Sequence, residues 1–418
     1  MIPAAMTQAA TPAVRNRGVQ VRGGMRKIAA VKLHEFRSYK QLLLERDVLA
    51  DARAIVLTGG NGVGKTNLLE ALSMLSPGRG LRRAALPQMI RRQSDDNGWS
   101  VHAIIRDDIG ETNIATALAP SRNGRETRGR SLRIDGANES LSQLAHIASI
   151  LWLTPAIERA VAESAGERRR FLDRIVMSLE PEHGARSTNY ERAMRERNRL
   201  LQTSGNAVWI EGLEEAMAKE GALMQAARRR TVAMLSNLLE ELSLPAFPKA
   251  SIALAPDPDA DDEACDTEIG VREEEENLRT RLREGRLLDR RAGRALAGAH
   301  RCDFRIRHLS DDGEMPLQSC SSGEQKALLL GLVLAHGRLL SSLSSGGAPI
   351  LLLDEVTAHL DAERRHALFD ILEQSGAHSW MTGTDPALFQ GCQEDSCFLE
   401  VTSKSVERAQ RPANPSLN

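Results

Sequence analysis

The sequence predicts an α/β fold: a phosphate-loop head that carries an antiparallel β-subdomain and is interrupted by a helical insertion domain. Three observations predict it. Gly59-Gly60-Asn61-Gly62-Val63-Gly64-Lys65-Thr66 stands between an apolar, β-branched run at Ala54 to Leu57 and a helical pattern. Pro349 to Leu353 is a continuous apolar run, as a buried parallel strand requires, and it ends at Asp354-Glu355. Between them, from about Glu158 to Leu244, charged residues alternate with Leu, Ala, Met and Ile at helical spacing, the pattern of long amphipathic helices.

In chain order, residues 1–24 are rich in Ala and Arg, lack acidic groups and hold no continuous apolar segment of the secretory type. Met25 is therefore the expected start of the folded chain, with a disordered or misannotated extension before it. Ile28 to Val31 reads as a strand, and Ala54 to Leu57 as the strand feeding the glycine loop. Trp99 to Arg106, Asn113 to Leu118 and Ser131 to Ile134 read as short antiparallel strands, with turns at Asn123-Gly124 and Asp135-Gly136. The acidic, proline-containing stretch 256–277 has little to bury and is expected as a mobile loop. A helix is expected over Ala327 to Leu340, and a frayed end after about Arg408. The expected units are an extension (1–24), the amino-terminal part of the head with the phosphate loop and β-subdomain (25–155), the helical insertion with its acidic loop (156–300), the carboxy-terminal part of the head (301–405) and a flexible tail (406–418).

Composition narrows the classes. A chain of 418 residues exceeds any small stapled scaffold and suits two or three units. Its 55 Lys and Arg balance 56 Asp and Glu, so attraction to a polyanion must come from local clusters. Cys265, Cys302, Cys320, Cys392 and Cys397 are scattered, without metal-ligand spacing, and are read as reduced thiols in a reducing cytosol. Apolar runs such as Ala327 to Ala335 are about half the length of a bilayer span, so a cytoplasmic protein without a membrane partner is expected.

The glycine run fits the phosphate-loop pattern in full. Gly59, Gly60, Asn61, Gly62, Val63 and Gly64 let backbone amides turn toward the phosphates of ATP, and Lys65 offers a point charge to the β and γ phosphates. Thr66 supplies a hydroxyl to Mg2+, and Asn67 continues the helix start. Asp354 is expected to hold the metal ion, and Glu355 to polarise the attacking water. Two adjacent buried acids would repel each other without a cation. Ser322, Gly323, Glu324 and Gln325 open a helix, where a serine hydroxyl and free amides form an anion-binding start.

Ser321 to Lys326 resembles the signature motif of ABC ATPases, and Val356 to Asp361 resembles their D-loop, with Asp361 at its end. That superfamily sets the signature serine of one subunit on the nucleotide bound by the other, which implies an ATP-dependent homodimer. The charged, helical insert between Lys65 and Asp354 is longer than a transporter's nucleotide-binding domain normally carries and resembles the chromosome-maintenance branch. It lacks sustained heptads, so a long coiled-coil arm is not encoded.

Leu33 to Tyr39, Gly78 to Arg82, Gly166 to Arg174, Tyr190 to Asn198, Gly298 to Asp303 and Ser322 to Leu328 together resemble the RecF family over roughly residues 25 to 400. The resemblance implies binding of ATP and dimerisation on gapped, single-stranded and duplex DNA. It also implies work with RecO and RecR to load RecA, support of the SOS response, and slow, weak DNA-stimulated ATP hydrolysis that acts as a switch. Two departures stand out: Cys302-Asp303 where members tend to show Asp-Asp, and Thr384 near the place where many ABC ATPases carry a switch histidine.

Arginines gather at Arg168 to Arg170, Arg192 to Arg199, Arg228 to Arg230 and Arg279 to Arg294. Such faces bind phosphate, but neighbours such as Glu191 and Arg195 also suit solvated helix pairs. With aromatics at 3% of the chain, backbone contact to duplex DNA fits better than base stacking. His34 and His300 read as ordinary polar residues. The competing readings are the ATPase subunit of an ABC membrane transporter, and an ATP-using nuclease or kinase.

Overall fold

The computed structural model describes residues 25–49, 51–94, 98–119, 129–203, 205–241, 246–255, 270–311, 313–343 and 348–412. The expected extension, the Asn123-Gly124 turn, Cys265, most of the acidic loop and the final residues lie outside them.

The first sheet is antiparallel: β1 (Lys27–Phe36) lies between β2 (Tyr39–Leu44) and β4 (Trp99–Arg106), followed by β5 (Glu111–Leu118), β6 (Ser131–Ile134) and β7 (Ala137–Asn138). Burial alternates along β4, with Trp99, Val101, Ala103 and Ile105 inward, because successive side chains on a strand face opposite ways. The second sheet is parallel in its centre. β3 (Ala54–Thr58), β8 (Ile150–Leu153), β12 (Ile350–Leu353), β13 (His378–Gly383) and β14 (Cys397–Val401) lie in the order β14-β3-β13-β12-β8, with β15 (Val406–Arg408) antiparallel on the edge.

Alternate residues of the parallel strands enter two separate cores. Ile55, Leu57, Ile350, Leu352 and Trp380 pack toward the antiparallel sheet and α2 (Lys65–Ser73), while Val56, Leu351, Leu353 and Met381 pack toward α10 (Ser322–Ser342). Burial on both faces explains the unbroken apolar runs. α10 is buried on nearly every side from Lys326 to Leu340, as a helix that is apolar all round must be.

The remaining helices are α1 (Arg46–Leu49), α3 (Leu144–Ile147), α4 (Pro155–Glu163), α5 (Ala165–Leu179), α6 (His183–Gln202), α7 (Ala207–Glu241), α8 (Val271–Glu284), α9 (Arg286–Ala292) and α11 (Ala362–Ser375). α6, α7 and α8 form an arm with its own small core of Tyr190, Met217, Leu278 and Leu282.

The structure differs from the expectations in three places. Residues 271–277 are not loop: they begin α8, where Glu273 and Glu274 favour the helix start and Glu274 pairs with Arg229. β9 (Lys249–Ala255), inside the expected helical unit, pairs with β10 (Asp303–Ser310), which pairs with β11 (Gly313–Pro316) in a third sheet. Residues 406–408, expected as tail, form β15 against β14. α10 starts at Ser322, where its opening residues were expected, and a cap holds the polar first turn.

Candidate nucleotide site

β3, β13 and β12 are neighbours, so their carboxyl ends bring residues 59–66, Thr382 and Asp354 to one rim of the sheet. The glycines are required by shape. Gly59 (φ 144) would place a Cβ 2.3 Å from the Val401 carbonyl oxygen. Gly64 (φ 120) would place one 2.9 Å from both the Ser38 and Tyr39 hydroxyls. Tyr39 donates to the Gly64 carbonyl at 3.1 Å, tying the β1–β2 hairpin to the loop.

Lys65 Nζ donates to the carbonyls of Gly59 and Gly60 at 2.6 and 2.7 Å, so the loop already curls around the ammonium. Burial lowers the Lys65 pKa, against the opposing charges of Glu355 and Asp354. α2 has no side-chain cap, and the amides of Lys65, Thr66 and Asn67 donate to no backbone carbonyl among the described residues. Such a helix start is an anion cradle. The Asn67 side chain donates to Ser38 and accepts from Arg82 at 2.9 and 2.7 Å, so its contribution to the cradle is its backbone. Beneath it, buried Glu70 joins Arg37 and Arg82 at 2.6 and 2.8 Å.

The Thr66 hydroxyl lies 3.0 Å from both carboxylate oxygens of Asp354. A hydroxyl and one carboxylate in contact fit Mg2+, which takes few protein oxygens and fills its shell with phosphate and water. Burial raises the Asp354 pKa, and bonds from Thr382 and Thr66 to the charged form oppose it. The two acids are not alike: Asp354 is buried, whereas Glu355 is exposed and stands at φ 49. That correction to the expected buried pair has a steric cause, since the left-handed backbone turns the second carboxylate outward at a cost of about 1–2 kcal/mol.

At the signature helix the two serines divide the work. Ser321 caps α10 reciprocally with Glu324: the Glu324 amide donates to the Ser321 hydroxyl at 3.3 Å and the Ser321 amide to the Glu324 carboxylate at 2.8 Å. The Ser321 bond holds the Glu324 carboxyl below its usual range. Gln325 donates to the Cys320 carbonyl at 3.0 Å, so both side chains expected on the nucleotide are turned back on their own chain. Ser322 is exposed and its hydroxyl has no partner among the described residues. Gly323 packs beside the His359 carbonyl, and Asp361 is exposed and caps α11 through the Arg364 amide at 2.8 Å.

Two residues escaped the sequence reading. Thr382 reaches the site: its hydroxyl donates to Asp354 at 2.7 Å and accepts from the Glu355 amide at 2.7 Å. Lys326 donates to the Glu355 carbonyl at 2.6 Å, with Glu158 3.9 Å away. The hydroxyl at the end of an apolar strand and the lysine opening a buried helix were the available signals.

Many of the clustered arginines serve the fold. Arg168 grips Asp303 with two bonds of 2.8 Å, and Arg169 donates to the Cys302 carbonyl at 2.7 Å. Buried Arg228 grips Asp173 at 2.8 and 2.9 Å and touches the Cys302 sulfur, while buried Arg197 joins Glu214 and Asp289 at 3.0 and 2.6 Å. Arg192, Arg195 and Arg199 on α6, Arg279, Arg281 and Arg283 on α8, and Arg290 and Arg291 on α9 are exposed. His300 is a structural partner of Tyr190 at 2.8 Å. Cys302, Cys320, Cys392 and Cys397 are buried free thiols.

Residues 27–385 match the family model described as RecF/RecN/SMC N terminal domain. The chain is 43% identical over 387 residues to the DNA replication and repair protein RecF of Rhizobium rhizogenes, covering 91% of this chain and 98% of that protein. It is 45% identical over 382 residues to the protein of the same name in Rhizobium meliloti, again covering 91% and 98%. A solved structure of the recombination mediator protein RecF with ATP, in the RecFOR pathway, matches with a TM-score of 0.74 at 22% identity, covering 92% of this chain and 100% of that one. The last likeness bears on the fold and agrees with the α/β head found here. The chain belongs to the RecF family of DNA replication and repair proteins.

Proposed function

We propose that this is a cytoplasmic, ATP-dependent DNA-binding protein of recombinational repair and replication, and that ATP joins two copies head to head on gapped or single-stranded/double-stranded DNA. The joined form helps RecO and RecR load RecA and supports the SOS response, and slow hydrolysis resets it. One observation carries the reading. The Ser322 hydroxyl stands exposed at the start of α10 with no partner among the described residues, while the described cis contacts of Lys65 and Thr66 are the loop carbonyls and Asp354. A helix start of this kind is built for an anion, and a second copy's triphosphate is the anion that dimer symmetry would offer.

The phosphate loop would grip the β and γ phosphates through its amides and Lys65, and Thr66 and Asp354 would hold Mg2+. The ion, when bound, neutralises charge developing on the phosphoryl oxygens. Glu355, exposed beside it, would orient and polarise the attacking water. The exposed arginines of α6, α8 and α9 would meet DNA phosphates, an electrostatic contact that needs no stacking platform. The relatives lend no support to a transporter subunit, and no described helix is long and apolar enough to cross a membrane.

Sizing the protein alone, with ADP, with ATP and with ATP plus DNA tests the reading, beside Lys65→Ala and Ser322→Arg. Dimers are expected with ATP, increased by DNA and lost in both variants. Equal dimerisation in every nucleotide state would overturn it.

A further inference from the structure

The backbone of Glu355 is pinned from both sides. Its amide donates to Thr382 Oγ1 at 2.7 Å. Its carbonyl accepts from the Ala358 amide at 3.1 Å and from Lys326 Nζ at 2.6 Å. Lys326 is 2% exposed, and the nearest carboxylate to it, that of Glu158 on α4, is 3.9 Å away, with Glu355 and Asp354 acting on it less strongly. A buried lysine with so distant a counter-ion is not explained by that ion pair, and burial lowers the Lys326 pKa and raises that of Glu158. The short bond is to the Glu355 carbonyl.

Lys326 follows Ser322 by one helical turn, so both lie on one face of α10. Between them, Gly323 is so close to the turn after Glu355 that a Cβ would stand 3.4 Å from the His359 carbonyl oxygen. Glu355 and His359 both have left-handed backbones, at φ 49 and 63. One end of this strained turn is therefore bonded to the first turn of α10 at Lys326, and the other packs near Gly323. A shift of the helix start is passed to the turn through the short Lys326 bond.

We propose that Lys326 is a positioning residue for hydrolysis. It carries the seating of Ser322 on the partner copy's nucleotide to Glu355 of its own site, so that each carboxylate is aligned only while its own signature helix is engaged. This rests on the proposed dimer and on Glu355 as the water-polarising group. It makes the two ATP sites interdependent: filling one aligns the glutamate of the other. Coupling of this kind needs two sites and an element that both bias, and the first turn of α10 is that element.

The test uses the full chain with Lys326→Met, Lys326→Gln, Glu158→Gln and Glu355→Gln. Binding of a fluorescent ATP analogue, ATP-dependent dimerisation and steady-state hydrolysis with DNA are measured for each. In Lys326→Met, kcat is expected to fall by about tenfold to a hundredfold, as for a misplaced catalytic group. ATP affinity should stay within about twofold, and a Hill coefficient approaching about two should drop to about one. Lys326→Gln, which keeps a donor, should recover part of the rate. Glu158→Gln should leave rate and cooperativity as they were, whereas a lysine serving only as its counter-ion would make the two substitutions alike.

A second measurement on the unaltered protein covers the case in which Lys326→Met fails to fold. Hydrogen exchange at the Ala358 amide should slow when ATP closes the dimer and stay fast in ATP-loaded Ser322→Arg. Full, cooperative turnover by folded Lys326→Met, or identical Ala358 exchange in the open and closed states, overturns the inference. If Glu355→Gln hydrolyses ATP at the parental rate, it is instead the reading of Glu355 that fails.

Discussion

Thr382→Val removes one hydroxyl from the floor of the nucleotide site and leaves the shape of the side chain and its strand preference nearly unchanged. Two bonds of 2.7 Å disappear, one donated to Asp354 and one accepted from the Glu355 amide. A bond to a charged group contributes about 1.5–3 kcal/mol, and an amide left without an acceptor costs about 1–3 kcal/mol. Asp354 is buried and suffers the first loss in full, but water reaches exposed Glu355 and relieves part of the second. The expected loss of stability is about 3 kcal/mol, read as a lower urea midpoint at unchanged slope. Asp354 also loses the neighbour that orients it, so the half-saturating Mg2+ concentration for ATP-dependent stabilisation should rise about tenfold to a hundredfold, as when outer partners of a metal ligand are removed. Each tenfold lowers the stabilisation at fixed MgATP by about 1.4 kcal/mol. A variant that unfolds within about 0.5 kcal/mol of the parent, with the same Mg2+ requirement, would refute the role assigned to this hydroxyl.

Arg228→Met leaves Asp173 inside α5 without its guanidinium and should cost about 3–5 kcal/mol in urea unfolding. Burial alone would raise the Asp173 carboxyl, but Arg228 and His183 outweigh it and hold the group well below its usual range. The parent therefore holds this stability above about pH 4 and loses it as pH falls toward the depressed value, so the deficit of the variant should narrow on acidification. A deficit that widens below about pH 4 would contradict the assignment. Gly64→Ala must fit a methyl 2.9 Å from two hydroxyls at φ 120, and ATP affinity should fall by more than about tenfold in a binding titration. Replacing Arg192 and Arg195 with Ser should weaken DNA binding on every sequence and reduce the salt slope by about 0.9 for each DNA phosphate no longer neutralised. Arg168→Ser should instead lower the melting temperature with the slope intact, since its two bonds to Asp303 are internal; the reverse pattern would place the DNA on the other face.

The phosphate loop, the acidic strand end, the signature helix and the antiparallel strands from Trp99 to Ile134 were all legible in the order of residues, because each is a local pattern. A glycine at φ 144 beside a carbonyl, an apolar run buried on both faces, or a serine three residues before a glutamate expresses its chemistry within a few positions. Pairings made across long stretches of chain left no such trace. β9 and β10 are partners although α8 and α9 lie between them in the chain, and the missed third sheet follows from that separation. Arg197 and Arg192 look alike in the sequence, yet one is walled in by α7 and α9 and the other is exposed. Asp354 and Glu355 are adjacent carboxylates with opposite exposure because a left-handed backbone separates them. Thr382 and Lys326 acquire their meaning from the Glu355 peptide they hold, and strand order and helix packing place them there. A motif specifies what a short segment can bind, whereas burial and hydrogen-bond partners depend on which distant segments close over it, and that is a property of the packed chain.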